Sequence, residues 1–228
     1  MPRFLIVEDD PPTLESLELV IRTEFPDAVI ETSATLNRAR LLVSETQSPY
    51  DVAILDVMLP EEVGQQPEPD VRLCLRIAAL GKALRVMHIT AYADEEPVKD
   101  HLSDFHSKYD DVRASWYSKA DSAWMANLLN DLKAFIHGNR IRAKYEALFG
   151  TSGAAPAEGY AARRPAGATG SLTFDLADLC LDVAEHWDDM GPKDQKLIER
   201  EFWVDRQAGS NYLVTLRRTR KSYTAAHK

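Results

Sequence analysis

Two short apolar runs that end on acid constrain this chain more than any other feature: Phe4-Leu5-Ile6-Val7 before Glu8-Asp9-Asp10, and Val52-Ala53-Ile54-Leu55 before Asp56. Apolar runs without alternation read as strands buried on both faces, and such strands belong to parallel sheets that helices cover from both sides. Runs of this kind alternate with stretches of helical period over residues 1–137. They predict strands at 3–7, 28–32, 51–55, 84–90 and 112–118, with amphipathic helices at 13–24, 36–45, 70–80, 96–105 and 121–136. The fold class that follows is α/β, with a doubly wound five-stranded parallel sheet.

The rest of the 228-residue chain reads differently. Ile141, Tyr145, Leu148 and Phe149 keep a helical spacing, so residues 138–150 are expected as a helical extension of the first domain, closed by Gly150. Residues 151–170 are rich in Ala, Gly and Pro and read as a flexible linker. Residues 171–228 are expected to form a small, mostly α-helical module. One helix runs from 172 to 190, and a second starts at Pro192, with Leu197, Ile198, Phe202 and Trp203 as its apolar stripe. Residues 211–222 suit a third helix, although 212–216 would also serve as a strand. So short a module has a marginal core unless it dimerises or docks.

Charge and cysteine usage exclude several classes. The net charge of -9 argues against a whole-surface nucleic-acid binder, but it is unevenly spread. Residues 171–205 hold 3 basic and 10 acidic side chains, whereas 206–228 hold 6 basic and none acidic. Cys74 and Cys180 lack C-x-x-C spacing, so they read as small buried hydrophobes, neither disulfide nor zinc ligands. No apolar run approaches a membrane span and the N-terminus lacks a signal-peptide pattern, which predicts a cytoplasmic protein with no membrane partner. The six histidines are scattered; they are expected to face solvent and are assigned no metal role.

Glu8-Asp9-Asp10, Asp56 and Thr90 follow or end three predicted strands, and Lys119 follows a fourth. In an open parallel sheet ligands bind outside the carboxyl ends of the strands, and in the flavodoxin-like order 2-1-3-4-5 the crevice lies between strands one and three. Glu8, Asp9 and Asp56 should therefore converge. Two carboxylates about 4 Å apart repel by roughly 4 kcal/mol at an effective dielectric near 20, so the cluster must hold a cation or keep a proton. An all-oxygen site with water suits Mg²⁺. Acids, a cation, a lysine and a hydroxyl are parts for handling a phosphoryl group. No glycine-rich phosphate loop follows the first strand, so nucleotide binding is not the natural reading.

FLIVEDD, YDVAILDVMLP, HITAY and WYSKA stand in that order on predicted strands one, three, four and five, and together they resemble the receiver domain of two-component response regulators over residues 3–137. The resemblance implies that Asp56 is the phosphoacceptor for a histidine kinase. It implies that Asp9 binds Mg²⁺ directly and Glu8 through water, with Asp56 and the backbone carbonyl of Met58 as further ligands. Thr90 would contact the phosphoryl group, Trp116 would turn inward behind it, and Lys119 would pair with the acyl phosphate. Such a protein is a switch and not an enzyme with a catalytic output. Ala120 stands where the family has proline, which predicts a trans peptide after Lys119, since a cis bond without proline costs about 2.5–4 kcal/mol. The loop after Pro60 and the segment 94–111 are longer than usual.

Two readings of the output stay open. In the first, residues 171–228 are a protein-interaction or homodimerisation module that engages a downstream protein target. In the second, Arg217, Arg218, Arg220 and Lys221 contact DNA phosphates. The plain alternative is that this basic end is solvated or pairs with the acidic stretch before it.

Overall fold

The computed structural model describes residues 1–69, 83–108, 114–149, 172–207, 212–217 and 222–224. The chain divides into two units, residues 1–132 and 133–228. The expected helix at 70–80, Cys74, and the linker at 151–170 lie outside the described residues.

The first unit is built on β1 (Arg3–Val7), β2 (Val29–Ser33), β3 (Tyr50–Asp56), β6 (Ala83–Thr90) and β7 (Ala114–Ser118), hydrogen-bonded in the order β2-β1-β3-β6-β7. All four pairings are parallel. Two short strands, β4 (Met58–Leu59) and β5 (Glu68–Pro69), form a separate antiparallel hairpin in the long loop after β3, where Gly64 takes a positive φ of 85°. With that hairpin set aside, the sheet has the 2-1-3-4-5 order of the flavodoxin-like α/β class. The apolar runs do what a doubly covered strand requires: Phe4 to Val7 and Val52 to Ile54 are fully buried. Leu5 and Val7 join Leu36, Ala39 and Val43 of helix α2 (Leu36–Glu45) on one face, while Phe4 meets Phe25 at 5.6 Å.

Local signals fix the helix starts. Helix α1 (Pro11–Glu24) opens with two prolines, and the Asp10 carboxylate accepts from the Thr13 N–H at 3.0 Å. A missing N–H costs nothing in the first turn, and an aspartate N-cap satisfies one of the donors that the turn leaves open. Thr35 caps α2 in the same way. Helix α3 (Glu96–Lys108) follows β6 and buries Val98, Leu102 and Phe105. Helix α4 (Trp124–Phe149) starts in the first unit, where Asp131 accepts from the Tyr117 hydroxyl and lies 3.7 Å from Arg85.

The helical stretches expected at 121–136 and 139–149 are one continuous helix, because Gly138 continues it without a break. Its second half does not extend the first unit's core. Ile141, Tyr145, Leu148 and Phe149 are buried with Leu179, Cys180 and Val183 of α5 (Leu172–His186), Ile198 of α6 (Pro192–Ile198), and Phe202, Tyr212, Val214 and Leu216. Burial pushes the Cys180 thiol up to about 12, in keeping with an inert core residue. A Cβ at Gly138 would come within 2.6 Å of the Asp194 side chain, which Arg142 holds, so a residue that weakens a helix by about 1 kcal/mol relative to Ala is kept for close approach.

The second unit also holds a three-stranded antiparallel sheet, β10-β9-β8, made of β8 (Phe202–Arg206), β9 (Tyr212–Leu216) and β10 (Ser222–Thr224). Of the two options for residues 212–216, the strand is the one formed: Tyr212, Val214 and Leu216 are buried in alternation. Phe202 and Trp203 belong to β8 and not to the second helix, with Phe202 buried and Trp203 exposed as a two-residue period demands. The acidic stretch pairs with cations of α4: Arg140 with Asp182 at 2.8 Å, Lys144 with Asp178 and Asp182 at 2.5 Å, and Arg142 with Asp194.

Four of the histidines depart from the expected solvent exposure. His88, His101 and His137 are buried, and His186 is half-buried. His88 stands edge-on to His101 and Phe105. His137 and His186 stack at 3.7 Å with 12° between their planes. Burial, with His186 beside it, pushes His137 down to about 4, so its ring is neutral at neutral pH. Among the described residues, no helix is long and apolar enough to cross a membrane.

Candidate functional site

Parallel strands in register deliver their carboxyl ends to one rim. Val7 pairs with Leu55, Asp56 with Ile89, and Thr90 with Ser118, so Glu8, Asp56, Thr90 and Lys119 leave neighbouring strands side by side. Carboxylate oxygens of Glu8, Asp9 and Asp56 lie within 4.8 Å of one another. The Lys119 ammonium sits between two of them, donating to Glu8 Oε2 at 2.6 Å and to Asp56 Oδ2 at 2.5 Å. Asp56 Oδ1 accepts from the Met58 N–H at 2.9 Å, and Glu8 Oε1 accepts from the Asp10 N–H at 3.1 Å. The Met58 amide is a second handle on Asp56 that no sequence signal reveals, because it depends on the turn leaving β3.

The electrostatics follow from three acids and one ammonium in a space largely closed to water. Burial first and Asp56 second push the Glu8 carboxyl up to about 7, although Lys119 opposes the shift. Burial and Asp56 also raise Asp9. Burial alone would lower Lys119, but Asp56 and Glu8 outweigh it and hold the ammonium above its ordinary range. The rim therefore carries more negative charge than its lysine can match. An all-oxygen set of this kind fits a hard divalent cation.

Glu8 gives the metal-free protein a pH dependence of definite sign. Its folded pKa is above the ordinary 4.5, so the folded state holds the proton better between 4.5 and about 7. The resulting stability is fully present below 4.5 and is lost as pH rises through about 7. In the presence of a chelator, the thermal midpoint of Glu8→Gln is expected to fall less steeply than that of the unaltered protein from about pH 5 to about pH 8. Parallel curves for the two proteins would remove Glu8 as the titrating group.

Asp10 turns out to be a helix cap. Its carboxylate takes hydrogen bonds from the Thr13 hydroxyl at 2.6 Å and from the Thr13 N–H, which together lower its pKa. Asp10→Ala is expected to lose about 1 kcal/mol of stability in urea unfolding, and unchanged stability would mean that the cap contributes nothing.

The remaining expected residues divide. Thr90 is fully buried, its hydroxyl accepts from the Tyr92 N–H at 3.0 Å, and its carbonyl accepts from the Lys119 N–H at 2.8 Å. Trp116 is 46% exposed, so its ring is turned outward here. No peptide bond is cis among the described residues, which agrees with the trans form expected between Lys119 and Ala120. Arg217 is not a loose basic end. Its guanidinium donates to the carbonyls of Glu199 at 2.9 Å and Phe202 at 3.1 Å and lies 5.0 Å from the Trp203 ring. Arg218, Arg220 and Lys221 lie outside the described residues.

No family model and no curated protein matches the chain. Solved structures do resemble it over about 60% of its length. A CheY-like response regulator receiver domain protein from Methanospirillum hungatei is 21% identical and covers 58% of this chain and 91% of its own, with a TM-score of 0.44. A two-component response regulator from Clostridium difficile is 15% identical, covering 60% and 96%, with a TM-score of 0.46. The non-phosphorylated HemR receiver domain from Leptospira biflexa is 24% identical, covering 60% and 94%, with a TM-score of 0.45.

Proposed function

We propose that this chain is a response regulator of a two-component system, in which phosphorylation of Asp56 switches the C-terminal unit. The observation that carries the reading is Lys119 bridging Glu8 and Asp56 at a strand rim where a third carboxylate, Asp9, lies within 4.8 Å. Glu8, Asp9, Asp56 and the Met58 carbonyl would hold Mg²⁺, which supplies positive charge to the transferring phosphoryl oxygens.

The steps at the protein's own groups are simple. An Asp56 oxygen forms a bond to phosphorus as the phosphorus–nitrogen bond to the kinase histidine breaks, and the departing imidazole keeps the electron pair and takes a proton. Lys119 exchanges its bond to Asp56 Oδ2 for one to a phosphoryl oxygen while Glu8 keeps its hold on the ammonium. The Thr90 hydroxyl donates its hydrogen to the same group. These bonds exist only with the new charge present, so they shift the balance between two arrangements of the rim, in which Trp116 turns inward.

The output we infer is engagement of a downstream protein. The apolar surplus that suggested homodimerisation of residues 171–228 is covered within the chain by Ile141, Tyr145, Leu148 and Phe149, which leaves dimerisation without that support. The DNA reading loses Arg217 as a free phosphate contact, since two carbonyls and Trp203 engage it. A small acyl phosphate donor with Mg²⁺ is expected to label the protein, detected as a slower band on a phosphate-affinity gel. The same samples serve for light-scattering mass and for binding to random-sequence duplex DNA. Absence of labelling with and without Mg²⁺ would defeat the phosphoryl reading. Phosphorylation-dependent duplex binding that falls steeply with salt would replace the protein target with DNA.

A further inference from the structure

The C-terminal unit holds a second group of metal-ligand side chains, independent of the phosphoryl chemistry. His137 stands on α4, His186 is the last residue of α5, and Asp189 lies in the turn three residues on, with one ligand atom from each within 4.8 Å of the others. His186 Nδ1 lies 3.5 Å from Asp189 Oδ2. His137 and His186 stack with 3.7 Å between ring centroids and 12° between planes, and each imidazole coordinates within its own ring plane, so the rings tilt out of the stack to aim one nitrogen apiece at a shared ion. We propose that His137, His186 and Asp189 form a site for a divalent transition metal of the Zn²⁺ class, joining α4 to the turn after α5.

The donor set selects the ion. Two imidazole nitrogens and one carboxylate oxygen suit Zn²⁺ and its borderline neighbours, whereas Mg²⁺ and Ca²⁺ take oxygen. A tetrahedral ion with bonds of about 2.0–2.1 Å holds its ligand atoms about 3.3 Å apart, so the three ligand atoms, which lie within 4.8 Å of one another, draw together as the imidazoles turn toward the ion. Burial is graded outward: His137 is enclosed, the His186 side chain is 16% exposed and that of Asp189 is 30% exposed. The ion can enter past Asp189 and keep water at a remaining position. Lys133 lies 3.8 Å from the other Asp189 oxygen, which leaves Oδ2 to coordinate. Because the ligands come from either side of residues 151–170, a bound ion fixes α4 against α5 and stabilises the unit by mass action.

The test uses the full chain, stripped with a chelator and then titrated with Co²⁺ and with Zn²⁺ in the presence of excess Mg²⁺, which occupies the acidic rim. One saturable equivalent is expected, with the visible absorption of nitrogen-ligated Co²⁺ and a thermal midpoint that rises with Zn²⁺. His186→Gln and Asp189→Asn, each checked by circular dichroism for retained fold, are expected to lower the affinity by at least about tenfold, the loss already typical of changes outside the ligand set. Binding that survives both substitutions, binding abolished by Mg²⁺, or no saturable equivalent at all would overturn the proposal.

Discussion

Asp56→Asn is expected to lose phosphoryl labelling entirely, whatever the donor and however much Mg²⁺ is supplied. An amide nitrogen is no nucleophile toward phosphorus, and in the proposed reading Asp9, the nearest accessible carboxylate, is taken up by Mg²⁺. Glu8 is wholly buried with Lys119 and the Asp10 N–H on its oxygens, and Asp10 is committed to the start of α1. The substitution should leave the fold intact. Asn is close to Asp in shape and its carbonyl oxygen can keep the hydrogen bond from the Met58 N–H; its NH2 then faces Lys119 and that bond is lost, but Glu8 still holds the ammonium and losing one of three crowded charges relieves repulsion on Glu8 and Asp9. A gel-shift or mass measurement on the acyl-phosphate reaction decides it. Label that persists in Asp56→Asn would remove the assignment of the phosphoacceptor.

Lys119→Ala has the second large effect, and it falls first on stability. Lys119 bonds two carboxylates that have almost no access to water, one wholly buried and the other 7% exposed. Removing one partner of a buried ion pair costs about 3–5 kcal/mol, because the remaining charge has neither water nor a counterion. Glu8 limits the damage by keeping a proton near neutrality, which places the expected loss near the lower end, about 3 kcal/mol. Mg²⁺ should restore much of it, since a cation that binds only the folded protein stabilises it. Urea unfolding with chelator and with Mg²⁺ reads both effects, and phosphorylation should persist at a reduced rate. If Lys119→Ala were as stable as the unaltered protein without Mg²⁺, the bridge would not be holding the rim together.

How much was legible depends on the length scale of the signal. The run Phe4 to Val7 and the run ending at Asp56 each carry their own instruction, so strand positions, the sheet order and the meeting of Glu8, Asp9 and Asp56 follow from pattern and topology. Helix α2 was readable to its ends because Thr35 caps it and its apolar residues keep one face. Residues 202–216 were harder. Trp203 sits next to Phe202 in a stretch where helical and strand periods overlap, and the choice was made by packing against α4, whose own role in that core was hidden behind residues 151–170. The pairing of His137 with His186 was beyond reach for the same reason. Neither histidine has a neighbour in sequence that points to the other. Arg217 looked like part of a basic tail, and nothing local to it announces that two carbonyls of the preceding turn and strand would claim its guanidinium.

In the proposed switch, the resting contact at Thr90 leaves the side chain a donor to offer. A hydroxyl carries two lone pairs and one hydrogen, and the Tyr92 amide consumes only a lone pair. The hydrogen is left to rotate, and it can be given to an arriving anion while the loop contact stays closed. In that reading the side chain offers a hydrogen-bond donor to the phosphoryl group while its bond to the loop stays in place. Serine in its place would keep both functions, and valine would forfeit both at once.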